Sequence, residues 1–169
     1  MKYVNDFKEA YKYTGYVSIF MWVLYFQTYI LYPGVCVFQK PTYTEIPTRY
    51  AYVCMIFLFN IGDMVGKWLG GLKYFLKISI IYTVIVLRFI FFPLFILTAR
   101  GHEKFQSDYF AFFNILLFGI TNGFGTTSLM VVGPLKTNDP RLKDLINYII
   151  FFMLTFGNSI GSILSVVLS

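Results

Sequence analysis

The stretch AYVCMIFLFNIGDMVGKWLGGL, from Ala51 to Leu72, decides the fold of this chain. It is apolar, and it is longer than the roughly 20 residues that a helix needs to cross a bilayer. Asp63 lies in its middle, with Lys67 four residues later and Asn60 three residues before. A helix repeats about every 3.6 residues, so these three side chains share one face. Because each charge at bilayer depth costs roughly 2.5–3.5 kcal/mol, we expect that face to turn toward protein or water.

The composition of the whole chain also indicates a membrane protein. Of the 169 residues, 57% are hydrophobic and 13% are charged. A water-soluble domain of this size cannot bury that much apolar surface. The net charge of +6 would suit nucleic acid, but the basic residues cluster beside the apolar windows, as the positive-inside rule places them. The expected partner is therefore the lipid bilayer, and no nucleic acid is expected.

Five apolar windows separated by short charged loops predict five transmembrane helices and an all-α fold. The period-two alternation that is typical of a membrane barrel does not occur in them. Residues 1–13 place Val4, Phe7 and Tyr11 on one side, which predicts a short interfacial helix on the cytoplasmic surface. The five predicted spans cover approximately residues 14–36, 51–71, 77–99, 109–133 and 145–168.

The distribution of basic residues predicts the orientation of the chain. With the N-terminus inside, the cytoplasmic segments hold eight basic residues and the opposite side holds four. This favours a cytoplasmic N-terminus and a C-terminus outside. The eight are Lys2, Lys8, Lys12, Lys73, Lys77, Lys136, Arg141 and Lys143, and the four are Lys40, Arg49, Arg100 and Lys104.

Glycines recur at the four-residue spacing that lets membrane helices approach closely. The pairs are Gly66/Gly70, Gly119/Gly123 and Gly157/Gly161. Polar residues accompany two of these pairs, with Asn122 and Asn158 at mid-depth. For both asparagines a hydrogen bond between helices and a contact with a substrate remain open.

No motif of an enzyme is present in the sequence. It lacks HExxH, GxSxG and a glycine-rich phosphate loop, and its one histidine, His102, lies in a charged loop. The two cysteines, Cys36 and Cys54, do not have metal-site spacing, although a disulfide between them remains open. We therefore expect no catalytic residue, no cofactor and no metal.

Asp63 allows two interpretations. It is the one acidic residue within a predicted span, and with Asn60 and Lys67 it forms a longer polar face than an ion pair needs, which favours a substrate-lining role. A purely structural pair with Lys67, or with Arg88 of the third window, is the alternative. Arg88 is alone at the centre of its window, which favours a structural tie to a neighbouring helix.

The segment Phe59–Lys67, FNIGDMVGK, resembles the FNxxDxxGR signature in the eighth membrane helix of the equilibrative nucleoside transporters. Further landmarks follow in the order of that family. They are Tyr32-Pro33 in the seventh helix, Leu87-Arg88 with Pro93 in the ninth, Thr121-Asn122-Gly123 in the tenth and Gly157-xxx-Gly161 in the last. The match runs from about residue 8 to the end, and it departs from the signature at Lys67, where the family has arginine.

The resemblance implies that the chain corresponds to the last five of eleven helices in an architecture of the major-facilitator type. The first six helices would then be missing or supplied by a separate N-terminal half. A structural membrane subunit without transport activity and an inactive truncated remnant are the alternatives.

The resemblance also implies a function and a site. The complete protein would carry nucleosides or nucleobases across the plasma membrane, including the uptake of purines. Transport would be facilitative and would proceed by alternating access, and a proton-coupled version stays open. Asp63, Lys67 and Asn60 would bind the substrate, with Tyr32 near the outer gate and Asn158 beside the pocket.

Overall fold

A computed structural model describes residues 2–35, 48–99 and 107–168. Over these ranges the chain forms helices and no strand, so the all-α prediction is confirmed. Helices α3 and α4 are joined by a 3₁₀ turn at Arg88–Ile90 into one rod, which gives five rods over the described ranges. The helices are α1 Lys2–Ile30, α2 Thr48–Gly70, α3 Ile78–Leu87, α4 Phe91–Ala99, α5 Asp108–Val132 and α6 Pro140–Leu168.

Four of these rods are long and apolar enough to cross a membrane. They cover Tyr50–Gly70, Ile78–Thr98, Tyr109–Lys136 and Pro140–Val167 within the described ranges. Helix α1 has 29 residues, as many as α6, but its tyrosines, its threonines and Gln27 lower its mean hydropathy.

The short surface helix predicted for residues 1–13 is not a separate element. Helix α1 runs from Lys2 to Ile30 without a break, since no proline interrupts it. Ala10 and Thr14 have no exposed surface, so α1 is packed inside the bundle at these two positions. Val4 and Phe7 are exposed on this part of α1, and their contact with a membrane surface stays a prediction.

A proline ends α1. Tyr32, the residue before Pro33, has an extended backbone with φ −129° and ψ 128°. The proline ring disfavours a helical conformation in the preceding residue, which explains why α1 ends at Ile30. Cys36 lies outside the described residues, as do Lys40, Arg100, His102 and Lys104, so a disulfide to the half-buried Cys54 stays a prediction.

Glycines bring the helices together in two close pairs. Helix α2 packs against α5, where a Cβ at Gly66 would collide with the Ile120 carbonyl oxygen and one at Gly123 would collide with the Asp63 carbonyl oxygen. Helix α6 packs against α1, where a Cβ at Gly157 would lie 3.2 Å from the Phe26 amide nitrogen. Any side chain at these positions would push the backbones apart, so glycine is what permits both contacts.

The α1–α6 and α2–α5 pairs are joined through α1 and α5, and the α3–α4 rod covers one side of that junction. Two apolar clusters fill the interior. One contains Met21, Leu24, Ile81, Ile85, Leu129 and Ile146, and the other contains Leu31, Phe59, Phe95, Ile115 and Phe118. Between them, at the middle of the helices, lies a layer of polar side chains.

The glycine contact between α2 and α5 gives the first prediction. Gly123→Ala should destabilise the protein by about 1–3 kcal/mol, because the added methyl group overpacks a backbone contact that cannot relax. Thermal unfolding of the purified protein in detergent measures this. Gly15→Ala is the matched control, because its Cβ would meet only Tyr11 ring atoms at ordinary contact distances of 3.7 and 3.8 Å. Equal melting temperatures for the two variants would contradict the prediction.

Candidate functional site

The mid-membrane carboxylate is held by an amine and an amide. Lys67 Nζ lies 2.6 Å from Asp63 Oδ2, one helical turn away on α2. Asn122 of α5 donates from Nδ2 to Asp63 Oδ1 at 2.8 Å. The close approach at Gly123 brings α5 near enough for the neighbouring Asn122 to reach across. Both carboxylate oxygens therefore have a donor.

The same contacts continue into the interior of the bundle. Thr28 of α1 lies with its hydroxyl 2.8 Å from Asn122 Oδ1. Arg88, in the 3₁₀ turn between α3 and α4, donates from Nη2 to Thr28 Oγ1 at 2.8 Å. One continuous series of hydrogen bonds thus links Arg88, Thr28, Asn122, Asp63 and Lys67, and it crosses four helical rods.

Arg88 occupies the buried end of this series. Its Nη1 donates to the Phe118 carbonyl oxygen at 2.9 Å and to Thr121 Oγ1 at 2.6 Å. The guanidinium carbon lies 4.2 Å from the centroid of the Phe118 ring, a cation–π contact. The Nε is buried without a hydrogen-bond partner among the residues that the structure describes. Arg88 therefore joins α3–α4 to both α1 and α5, and it does not touch Asp63.

The charged groups differ greatly in exposure. Arg88 is 1% exposed, whereas the side chains of Asp63 and Lys67 are 14% and 54% exposed. The positive charge of Arg88 is therefore fixed in the interior, whereas the positive charge of Lys67 is accessible from outside the bundle. Asp63 lies between them at the edge of the bundle.

The polar side chains around Asp63 lie on a different flank of α2 from the one that faces α3. Leu69, on the α2 flank that faces α3, lines a cavity with Ile80 and Val84. Asp63 is about 120° from Leu69 around the helix, so it faces the other side. We define the polar groove by Asp63 and Lys67 of α2, Asn122 and Thr126 of α5, and Tyr25 and Tyr29 of α1.

Helix α1 forms the floor of the polar groove. The Tyr25 hydroxyl lies 3.4 Å from Thr126 Oγ1, which places Tyr25 at the border with α5. Tyr29 stacks on Tyr25 with ring centroids 6.2 Å apart. A Cβ at Gly161 would lie 3.0 Å from the Tyr29 Cβ, which places Tyr29 at the border with α6. Two aromatic rings thus span the distance between the α5 and α6 sides.

The other substrate-binding residues expected from the sequence do not join the Asp63 contacts. Asn60 is exposed on the same flank of α2 and donates from Nδ2 to the Ile56 carbonyl oxygen of its own helix at 2.8 Å. Asn158 of α6 is half-buried and accepts from Ser162 Oγ at 3.3 Å. Tyr32 stacks on Phe59, with ring centroids 4.2 Å apart, in the apolar cluster beyond the polar layer.

Two open grooves lie in other parts of the bundle. One of about 370 Å³ lies between the α3–α4 rod and α5, and one of about 250 Å³ lies between α2, α3 and α5. Thr121 lines both, and Arg88 borders the larger. Neither contains Asp63, and both are lined almost entirely by apolar side chains, so they do not have the chemistry of a polar-substrate site.

Sequence reasoning missed Thr28 and Tyr25. Both lie in α1, within the first apolar window, for which the sequence predicted a membrane span but no polar contact at these two residues. The signal was the pair Gln27-Thr28 inside that window, because buried polar side chains in a membrane helix need partners on other helices. Gln27 also has such a partner, since its Nε2 lies 3.4 Å from the Ile85 carbonyl oxygen.

Helices that can span a membrane, a carboxylate and two cations at mid-depth, and a polar groove between helices are typical of an integral membrane protein that carries polar solutes. The sequence comparison identifies the family. The model of the family described as "Nucleoside transporter" matches residues 8–169, and the chain belongs to that family.

Individual relatives agree with this assignment. Equilibrative nucleotide transporter 8 of Arabidopsis thaliana is 26% identical over 85% of this chain and 36% of that protein. Equilibrative nucleoside transporter 2 of Rattus norvegicus is 31% identical over 67% of this chain and 26% of that protein. Nucleoside transporter 1.2 of Leishmania donovani is 24% identical over 82% of this chain and 28% of that protein. The chain thus spans about a third of the length of the curated relatives it matches.

The contacts of Arg88 give the second prediction. Arg88→Lys should destabilise the protein by about 2–4 kcal/mol, because an ammonium cannot reach α1 and α5 together and leaves buried oxygens without a donor. Arg141→Lys, an exposed position in the first turn of α6, is the control and should change stability by less than about 0.5 kcal/mol. Thermal unfolding in detergent measures the stability of both variants. An Arg88→Lys protein as stable as the control would refute the role of Arg88 in joining α3–α4 to α1 and α5.

Proposed function

We propose that this chain forms part of a facilitative transporter of nucleosides or nucleobases. The observation that carries the proposal is the Asp63 carboxylate, held by Asn122 and Lys67 at the edge of the polar groove in a member of the nucleoside transporter family. A carboxylate at this depth would be costly if it faced lipid, so a groove filled by water or substrate suits it.

Asp63 can accept a hydrogen bond from a ribose hydroxyl or from a base N–H, since an ionised carboxylate has more lone pairs than its two present donors use. Lys67 orients Asp63 and, being half exposed, can donate to an oxygen or nitrogen acceptor of the ligand. An ammonium provides this contact as a point charge, without the planar fork of the arginine in the family signature.

The aromatic floor of the polar groove adds a second kind of contact. Tyr25 and Tyr29 present ring faces and hydroxyl groups beside Asp63. A nucleoside has a flat apolar base and a polar sugar, and this combination suits a site with rings on one wall and a carboxylate on another. Asn60 and Asn158, on the walls of α2 and α6, are further candidates for contacts with the ligand.

The proposed transport mechanism is alternating access. The five rods would form one half of an architecture of the major-facilitator type, and a partner half would cover the polar groove. Tyr32 would lie near the outer gate, since its extended backbone ends α1 at that side. The proposed orientation has the N-terminus in the cytoplasm and the C-terminus outside, in the plasma membrane.

The third prediction tests the role of Asp63. Asp63→Asn should reduce uptake of a radiolabelled purine nucleoside into cells by at least about tenfold, because the variant keeps the shape but loses the charge that holds Lys67 and the ligand. Uptake by the complete transporter is the measurement. Asp144→Asn, an exposed position on α6, is the control and should not change uptake.

Surface expression must be equal for the two variants. Uptake that survives Asp63→Asn undiminished would reject the proposed site. The structural interpretation makes the opposite prediction, since replacing Asp63 and Lys67 together by leucine would then preserve folding and every function of the protein.

A further inference from the structure

The hydrogen bonds between Arg88 and Asp63 can run in one direction only. A guanidinium donates and never accepts, and an ionised carboxylate accepts and never donates. Thr28 Oγ1 must therefore accept from Arg88 Nη2, and Asn122 must turn its Nδ2 toward Asp63. This leaves Asn122 Oδ1 facing Thr28, where the hydroxyl lies 2.8 Å away.

The Thr28 hydroxyl completes this directed series. Its hydrogen can go to Asn122 Oδ1 or to the Leu24 carbonyl oxygen of its own helix, both at 2.8 Å. The Leu24 carbonyl already accepts the backbone N–H of the next helical turn. Asn122 is 6% exposed, and an amide oxygen left without a donor in that interior is costly. Donation from the Thr28 hydroxyl group to Asn122 Oδ1 is therefore the more favourable arrangement.

We propose that Thr28 and Asn122 are positioning residues that hold the Asp63 carboxylate in a fixed orientation through a directed hydrogen-bond relay anchored on the buried Arg88. Asp63 keeps this orientation while Lys67 contacts the ligand. The relay itself follows from the contacts above, whereas its consequence for transport rests on the proposed function.

The two donors of Asp63 suit this division of roles. Asn122 is short, buried and fixed between two neighbours, so the bond to Asp63 Oδ1 does not depend on solvent. Lys67 has a flexible four-carbon stem and is half exposed, so its bond to Oδ2 is the one that a ligand can exchange. If Lys67 were the sole support of Asp63, each exchange would release the carboxylate as well.

A double-mutant cycle on stability tests the relay without transport. Thr28→Val keeps the shape of the side chain and removes the hydroxyl group. It should lower the melting temperature of the purified full chain in detergent. The decrease should be less than half as large in the Asp63→Asn background, because an amide at position 63 can donate or accept and no longer dictates how Asn122 is turned.

Thr98→Val is the matched control for the cycle. Thr98 is a buried threonine of α4 whose hydroxyl donates to the Leu94 carbonyl oxygen of its own helix at 2.8 Å. Its effect on melting should be the same in both backgrounds. Equal effects of Thr28→Val in both backgrounds would overturn the relay. If Thr28→Val does not fold, Thr28→Cys, whose thiol is a weak donor, replaces it in the same cycle with the same criterion.

Uptake kinetics of the complete transporter test the consequence for the ligand. Thr28→Val should raise the KM for a purine ribonucleoside by about three- to tenfold, the effect of one less well-oriented hydrogen bond, and should leave the maximal rate nearly unchanged. Thr28→Ser, which restores a hydroxyl group, should restore the KM, and Thr98→Val should leave it unchanged.

The two measurements separate the possible failures. An unchanged KM in Thr28→Val would overturn the role of the relay in ligand binding, whatever the stability cycle shows. A fall in maximal rate with unchanged KM would do the same. Absence of nucleoside uptake in the unmutated transporter would refute the proposed function, while the stability cycle would still decide on the relay.

Discussion

The close contact between α2 and α5 is the constraint on which the site depends. Glycines on each helix face backbone carbonyls of the other, and the carbonyl oxygen beside Gly123 belongs to Asp63 itself. The helix axes are therefore as near to each other as backbone atoms allow. An asparagine side chain is short, so Asn122 can reach the Asp63 carboxylate only because the helices approach this closely. Glycine spacing thus determines a chemical contact as well as a packing distance.

Arg88 shows how the bundle accommodates a charge in its interior. Removing a guanidinium from water costs roughly several kcal/mol, even after the surrounding protein relaxes. Hydrogen bonds with good geometry must offset this cost. Here a carbonyl, two hydroxyl groups and an aromatic face surround the cation. The 3₁₀ turn at Arg88–Ile90 lies where α3 and α4 meet, so the residue at this junction also joins the rod to α1 and α5. The partners are neutral, which leaves the positive charge uncancelled close to the polar layer.

Local spacing predicted part of this structure, and tertiary contacts supplied the rest. The five rods follow from apolar windows, and the Asp63–Lys67 contact follows from a four-residue spacing on one helix. The Thr28–Asn122 contact joins residues 94 positions apart, and no periodicity within one window could indicate it. Asn60 shares the face of Asp63, yet it forms a hydrogen bond to its own helix. A shared helix face determines where a side chain points, but it does not determine which group that side chain binds. Tyr32 was expected near the outer gate because it matches a family motif, and its ring packs with Phe59 in an apolar cluster.

The exposure of the polar face follows from the same physics that buries Arg88. Lys67 and Asn60 lie on a flank of α2 that none of the described helices covers, while the opposite flank packs toward α3. Facing acyl chains, this amine and this amide would lose their hydrogen bonds to water, and their contacts with Asp63 and the Ile56 carbonyl oxygen would offset only part of that cost. A membrane protein can keep such a flank only where water or another polar surface meets it, because lipid cannot donate or accept in its place. The polar groove is therefore a surface that requires an aqueous or protein neighbour.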